Sequence, residues 1–188
     1  MTSEQPAPAK NELLDALRRT AADVVAKVSA LDDATLAGGR YENGWNAKEI
    51  LAHMASIEWA YPRLIDLARG AHAGSPGRQP PPAAPSEARP AGASSVQAKP
   101  GGTPAINDYN ARQVAKRAGA TKDELIAEFQ KNRAALITAV QQADDGLFSR
   151  EITSAGGAEG PLAAVLQFVA VDHVRVHLRD LIGTEAAR

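Results

Sequence analysis

The sequence predicts an all-α protein, a four-helix bundle, and three observations predict it. Apolar residues recur at three- and four-residue spacing over four long stretches, the pattern of a helix with one buried face. The apolar fraction is 44% while aromatics make up only 4%, so a core must be built from Leu, Ile, Val and Ala; Ala and Leu favour helix, and strand-formers are sparse. Capping signals stand at the heads of two of the stretches.

The first helix is expected from about Asn11 to Leu31, where Leu13, Leu14, Leu17, Val24, Val25 and Val28 share a face and Arg18, Arg19 and Lys27 lie elsewhere on the wheel. Asp32-Asp33 and Gly38-Gly39 then mark a short polar loop. The second helix starts at Asn46, an N-cap with Glu49 three residues on as the reciprocal half of a capping box. Its stripe, Ile50, Met54, Ile57, Tyr61, Leu64 and Ile65, runs to about Arg69. Pro62 removes an intrahelical hydrogen bond, which predicts a kink or break near Trp59.

Beyond Arg69 the composition changes. Residues 70–105 are dominated by Pro, Ala, Gly and Ser, including Pro80-Pro81-Pro82, and bury too little apolar surface to offset their ordering entropy. The expectation is a single domain over residues 1–188 carrying a flexible Pro-rich insertion at 70–105 between helices two and three, a tolerated surface insertion or a lid. Ile106 to Arg117 reads as a short helix that Asn107-Asp108 can cap. Thr121 opens the third helix, Glu124 completing a second capping box, with Leu125, Phe129, Leu136, Ile137 and Val140 as its apolar face. Asp144 to Gly160 is expected to be irregular or weakly extended, with Phe148, Ile152 and Thr153 as its β-formers. The fourth helix runs from about Pro161, a favourable first-turn proline, to Ile182, with Gly183 as its stop. Four amphipathic helices with one long crossover describe a bundle.

Formal net charge is −1 and no long basic run appears, which argues against nucleic acid and anionic membrane as partners. The absence of cysteine excludes disulfides, Cys-zinc sites and a Cys nucleophile. Met1 to Lys10 is polar, unlike a signal peptide, and no apolar run approaches the roughly 20 residues that span a bilayer. A soluble, cytoplasmic protein is the expectation.

Three of the four histidines fall on helical stripes. On the fourth helix Leu162, Leu166, Val169 and Ala170 lead into His173 and His177. Four residues apart, these stand one turn above the other and continue the apolar face into the bundle. His53 follows Ile50 by one turn on the second helix, also on the inward face. Two imidazoles at this spacing offer two nitrogens to one metal ion, and a third from a facing helix leaves coordination positions open for water or substrate. A bound divalent ion can lower the pKa of its water toward about 7 or hold a thiolate. The alternative is a set of hydrogen-bonded core histidines, against which stands the cost of burying several imidazoles without partners. His72 has no assigned role.

Two stretches, Trp45-Asn46-Ala47-Lys48-Glu49-Ile50-Leu51-Ala52-His53-Met54-Ala55 and Asp172-His173-Val174-Arg175-Val176-His177-Leu178, resemble the DinB/YfiT-like metalloenzyme superfamily. The family's first motif is a Trp, a capped helix start and a His eight residues after the Trp, matched by Trp45 and His53. Its second is His-x-x-x-His on the last helix, matched by His173 and His177. Ile106 to Arg112 is similar to a segment before helix three in several members. The resemblance covers nearly the whole chain outside the insertion. It implies an up-down-down-up four-helix bundle, often dimeric, with zinc or nickel on the three histidines.

Three functions follow as expectations. The first is a metal-dependent, thiol-dependent S-transferase or isomerase, with mycothiol or bacillithiol as co-substrate and a small electrophile as substrate, because relatives of this kind include a mycothiol-dependent maleylpyruvate isomerase. The second is a ClbS-like hydrolase protecting against an electrophilic genotoxin, for which Glu58 and Asp172 are the nearby acids. Asp172 is turned about 100° from its neighbour His173, so a helix-surface or outer-sphere role fits it better than ligation. The third is a non-enzymatic stress-response binding protein. Trp45 and Trp59 are expected as core or helix-end anchors. Tyr61 and Tyr109 are expected near the pocket, and Asn110 and Arg112 in capping or surface roles.

Overall fold

A computed structural model describes residues 7–39, 41, 44–70 and 104–182. His72, Gly183 and most of the predicted insertion lie outside the described residues.

Helix α1 spans Lys10–Ser29, with the Glu12 carboxylate accepting the Ala9 N–H at its head. The loop predicted after it contains a short helix, α2, Asp33–Ala37, capped by the Asp32 side chain on the Thr35 N–H. The cap signal was in the sequence, but five residues are too few to show a helical period. Helix α3 spans Ala47–Ile57 and opens on the predicted capping box, Asn46 Oδ1 accepting from Glu49 N–H while Glu49 accepts from Asn46 N–H.

The break before Pro62 takes a definite form. A 3-10 turn, Glu58–Ala60, follows α3, and α4, Pro62–Arg69, starts with the proline in its first turn. The Glu58 carbonyl, which has no N–H to meet at Pro62, accepts from Tyr61 instead. Gly70 closes α4 with φ +78°, a left-handed cap. Helix α5, Pro104–Ala115, and helix α6, Lys122–Gln142, follow, the latter with its capping box between Thr121 and Glu124 in place.

The extended stretch resolves into an antiparallel hairpin, β1 Glu151–Thr153 with β2 Glu159–Pro161, in register Ile152 to Gly160. Its connection uses Gly157 at φ +83°. The predicted fourth helix is three pieces: α7, Leu162–Leu166, a π-helical turn, Gln167–Asp172, and α8, His173–Ile182. Pro161 is the N-cap of α7 rather than a residue of its first turn.

Helix α1 packs on α6 and α8, and α3 packs on the same two helices, which closes a helical bundle. Among the described residues the core has two clusters. One joins Leu13, Leu17, Ile65, Leu136, Val140, Leu162 and Leu166; the other joins Val24, Ile50, Met54, Phe129, Val174 and Leu181. The predicted stripes of the first three helices largely form the buried faces, whereas in the fourth Val174, Leu178 and Leu181 take over the core beyond the π-turn. Burial of each such side chain contributes about 1.5–3 kcal/mol. Trp59 departs from its expected anchoring role: it is 38% exposed and lies under the Arg63 guanidinium.

Candidate metal centre

Helix α3 carries His53 and helix α8 carries His173 and His177, and these two helices pack directly together. The ring centroids of His53 lie 5.5 Å from those of His173 and 5.2 Å from those of His177, and the α8 pair is 4.4 Å apart. One nitrogen from each ring lies within 4.8 Å of the other two. His53 and His177 are buried and His173 is half-buried. Trp45, eight residues before His53, places its ring 5.1 Å from the His53 ring, so the sequence spacing becomes a packing contact.

Burial, and repulsion from the other two rings, hold the His53 imidazole down to about 2. Burial, reinforced by His177, holds His173 at about 4, although a hydrogen bond to the Val169 backbone favours its protonated form. Burial alone puts His177 at about 4. All three rings are neutral near pH 7, the state in which imidazole ligates.

The His177 Nδ1 side faces the Asp180 carboxylate at 3.4 Å, one helical turn on. The His173 Nε2 points at the His177 Nε2, 2.9 Å away. Two Nε2 atoms at this distance share either a proton or, with both lone pairs turned inward, a cation. The His53 Nδ1 is buried without a hydrogen-bond partner. Nitrogen ligands at about 2.0–2.1 Å from one ion stand roughly 3–4 Å apart, so small ring adjustments bring the three into range. The donor set fits a borderline divalent ion such as zinc or nickel.

Other residues singled out in the sequence fall differently. Glu58 is fully buried, 2.6 Å from the Arg133 guanidinium; burial pushes its carboxyl up to about 7 against the pull of that charge. Asp172 is half-exposed and accepts from Gln167 and Arg175. Tyr61 is a core residue whose hydroxyl donates to the Val169 carbonyl at 2.8 Å. Tyr109, Asn110 and Arg112 lie on α5, Arg112 exposed. A cleft of about 740 Å³ opens between α2, α3, α5 and the head of α6, lined by Trp45, Ala52, Val114 and Arg117. Its Trp45 wall is the ring that packs on His53.

Two contributors were missed from sequence. Asp180 stands three residues after His177, a spacing that signals a carboxylate on the same face. Arg133 gave no signal, because an arginine in a helix normally reads as a solvated position.

A family model for the DinB superfamily matches residues 16–181, and the chain belongs to that superfamily. The structure is similar to the crystal structure of the mycothiol-dependent maleylpyruvate isomerase, with TM-score 0.65 and 18% identity over 94% of this chain and 62% of that one. A point mutant of the same enzyme matches with TM-score 0.64 and 18% identity, over 93% of this chain and 61% of that chain. This chain thus spans about three-fifths of the solved chains it matches. At this identity the likeness is one of fold. A comparison with curated proteins finds no match.

Proposed function

We propose that the protein is a divalent-metal-dependent enzyme, a thiol-dependent S-transferase or isomerase, with His53, His173 and His177 as the metal ligands. The observation that carries this reading is the paired Nε2 atoms at 2.9 Å beside a buried, unpartnered His53 Nδ1. The fold is similar to that of a mycothiol-dependent isomerase, which supports a low-molecular-weight thiol, mycothiol or bacillithiol, as co-substrate. Zinc or nickel bound here supplies the Lewis acidity that keeps such a thiol as thiolate near neutral pH. The chain's own part is to present three neutral imidazoles from two rigid helices and to orient His177 through Asp180. The co-substrate pair is a small electrophile and the thiol, and the working unit is a homodimer.

A hydrolase using a carboxylate to activate water is less well supported. Glu58 is sealed against Arg133, and Asp172 is engaged at the helix surface. The test is metal content of untagged native protein, followed by mycothiol, bacillithiol and glutathione with a chlorobimane electrophile. Stoichiometric zinc or nickel, and conjugation that His53→Ala abolishes, are expected. Absence of metal would leave the non-enzymatic binding protein as the better reading, and metal without conjugation by any thiol would return the choice to the hydrolase.

A further inference from the structure

Two irregularities of the bundle meet at one place. The first is the 3-10 turn at Glu58–Ala60, and the second is the π-turn at Gln167–Asp172. In an uninterrupted α-helix the His173 N–H would donate to the Val169 carbonyl, four residues back. Here it donates to Phe168, five back. The Val169 carbonyl thereby loses its helical amide partner, and the Tyr61 hydroxyl takes it at 2.8 Å. At the next residue the Ala170 carbonyl accepts from Arg133 Nη2 at 2.7 Å, and the same nitrogen donates to Glu58 at 2.6 Å.

The register matters to the site. One extra residue in a turn rotates everything beyond it by about 100° relative to a continuous α-helix. A continuous helix would put residues 173 and 177 on the meridian of Leu162 and Leu166. Instead Val174, Leu178 and Leu181 occupy the core beyond the turn, and the two histidine rings face His53. A buried ion pair is weak evidence of a stabilising role, since apolar residues commonly replace one without loss. Its placement on the π-turn gives Arg133–Glu58 another role.

We propose that Tyr61 and the Arg133–Glu58 pair are positioning residues for the three-histidine site, holding the π-turn register that aims His173 and His177 at His53. Tyr61 acts through the Val169 carbonyl, from which the π-turn withdraws the His173 N–H, and Arg133 acts through the Ala170 carbonyl beside it. The proposal rests on the metal reading for its affinity arm but not for its arm in metal-free protein.

The experiment compares Tyr61→Phe, deletion of Phe168 and a control, Leu136→Ala. Phe168 is 41% exposed within the π-turn, so its deletion lets the turn close as α-helix at little cost in burial. Leu136 is a core residue without polar contact to the turn. Zinc affinity is read by competition with a chromophoric chelator, and the His173 ring tautomer by ¹⁵N NMR of metal-free protein. Tyr61→Phe is expected to weaken zinc about 10-fold and to shift the His173 ring signals, and the deletion to weaken it by about 100-fold or more, as loss of outer-sphere support does. The control stays within about threefold of the parent. Zinc affinity in Tyr61→Phe within about threefold of the parent, or an equal loss in Leu136→Ala, overturns the proposal. If the deletion does not fold, Tyr61→Phe decides. If the parent chain binds no zinc, the metal reading fails on its own, and the proposal stands or falls on whether Tyr61→Phe changes the His173 ring spectrum.

Discussion

Replacing Arg133 by methionine keeps most of the side-chain volume but removes the guanidinium from a site where Arg133 is 1% and Glu58 0% exposed. Glu58 loses its partner at 2.6 Å and the Ala170 carbonyl its donor at 2.7 Å. Removing one member of a buried pair costs about 3–5 kcal/mol, and a buried carbonyl left without a donor about 1–3 kcal/mol. Glu58 can limit the loss by taking up a proton, since burial already holds its carboxyl at about 7. A loss of about 3 kcal/mol or more at pH 7.5 is therefore expected, read as a fall in the urea midpoint at unchanged slope. Removing both partners, Arg133→Met with Glu58→Leu, eliminates the uncompensated carboxyl, and the double variant should be more stable than Arg133→Met alone. The cycle should give a coupling of about 2 kcal/mol or more. A double variant lying at the sum of the two single losses would show that the pair does not act as a unit, and the reasoning from burial would fall.

Acidification should destabilise the metal-free protein. The three histidines are held below their ordinary value, so the unfolded chain binds more protons between about pH 6.5 and 4, and stability present above 6.5 is lost as pH falls through that window. Glu58, held up at about 7, works the other way, its contribution being complete below about 4.5 and lost as pH rises toward 7. Three groups against one leave the histidine trend dominant, and urea midpoints that rise between pH 6.5 and 4.5 would contradict it. Saturating zinc should raise Tm in the parent chain and leave His53→Ala nearly unmoved, as differential scanning fluorimetry can show. Thr121→Ala removes the side-chain acceptor for the Glu124 N–H and should cost about 1 kcal/mol in chemical denaturation. Trp59→Ala, by contrast, should change stability by less than about 1 kcal/mol, because the ring is part-exposed and its partner is a surface arginine.

Much of the fold was legible because the signals were local. Asn46 with Glu49 and Thr121 with Glu124 meet within one turn of backbone, so the capping boxes needed no tertiary knowledge. Pro62 forced a break through its own missing N–H. The His173–His177 spacing placed two rings on one helical face before any partner was known. The short helix at Asp33–Ala37 stayed hidden because it completes barely more than one turn. The hairpin was visible only as an irregular stretch, since pairing of Ile152 with Gly160 is a contact between segments.

By itself the sequence determined the helical class, the two capping boxes and the sharing of one helical face by His173 and His177, because backbone propensity and side-chain periodicity are properties of neighbouring residues. The tertiary structure alone decided the π-turn, the rotation it gives His173 and His177, and the burial of Arg133 against Glu58. A π-turn survives where side chains from other helices take the carbonyls it releases, and here Tyr61 and Arg133 come from two different helical segments. An arginine is buried only where a carboxylate and a carbonyl await it. Those partners are supplied by packing, so the fine aim of the site was set by contacts that no single stretch of the chain contains.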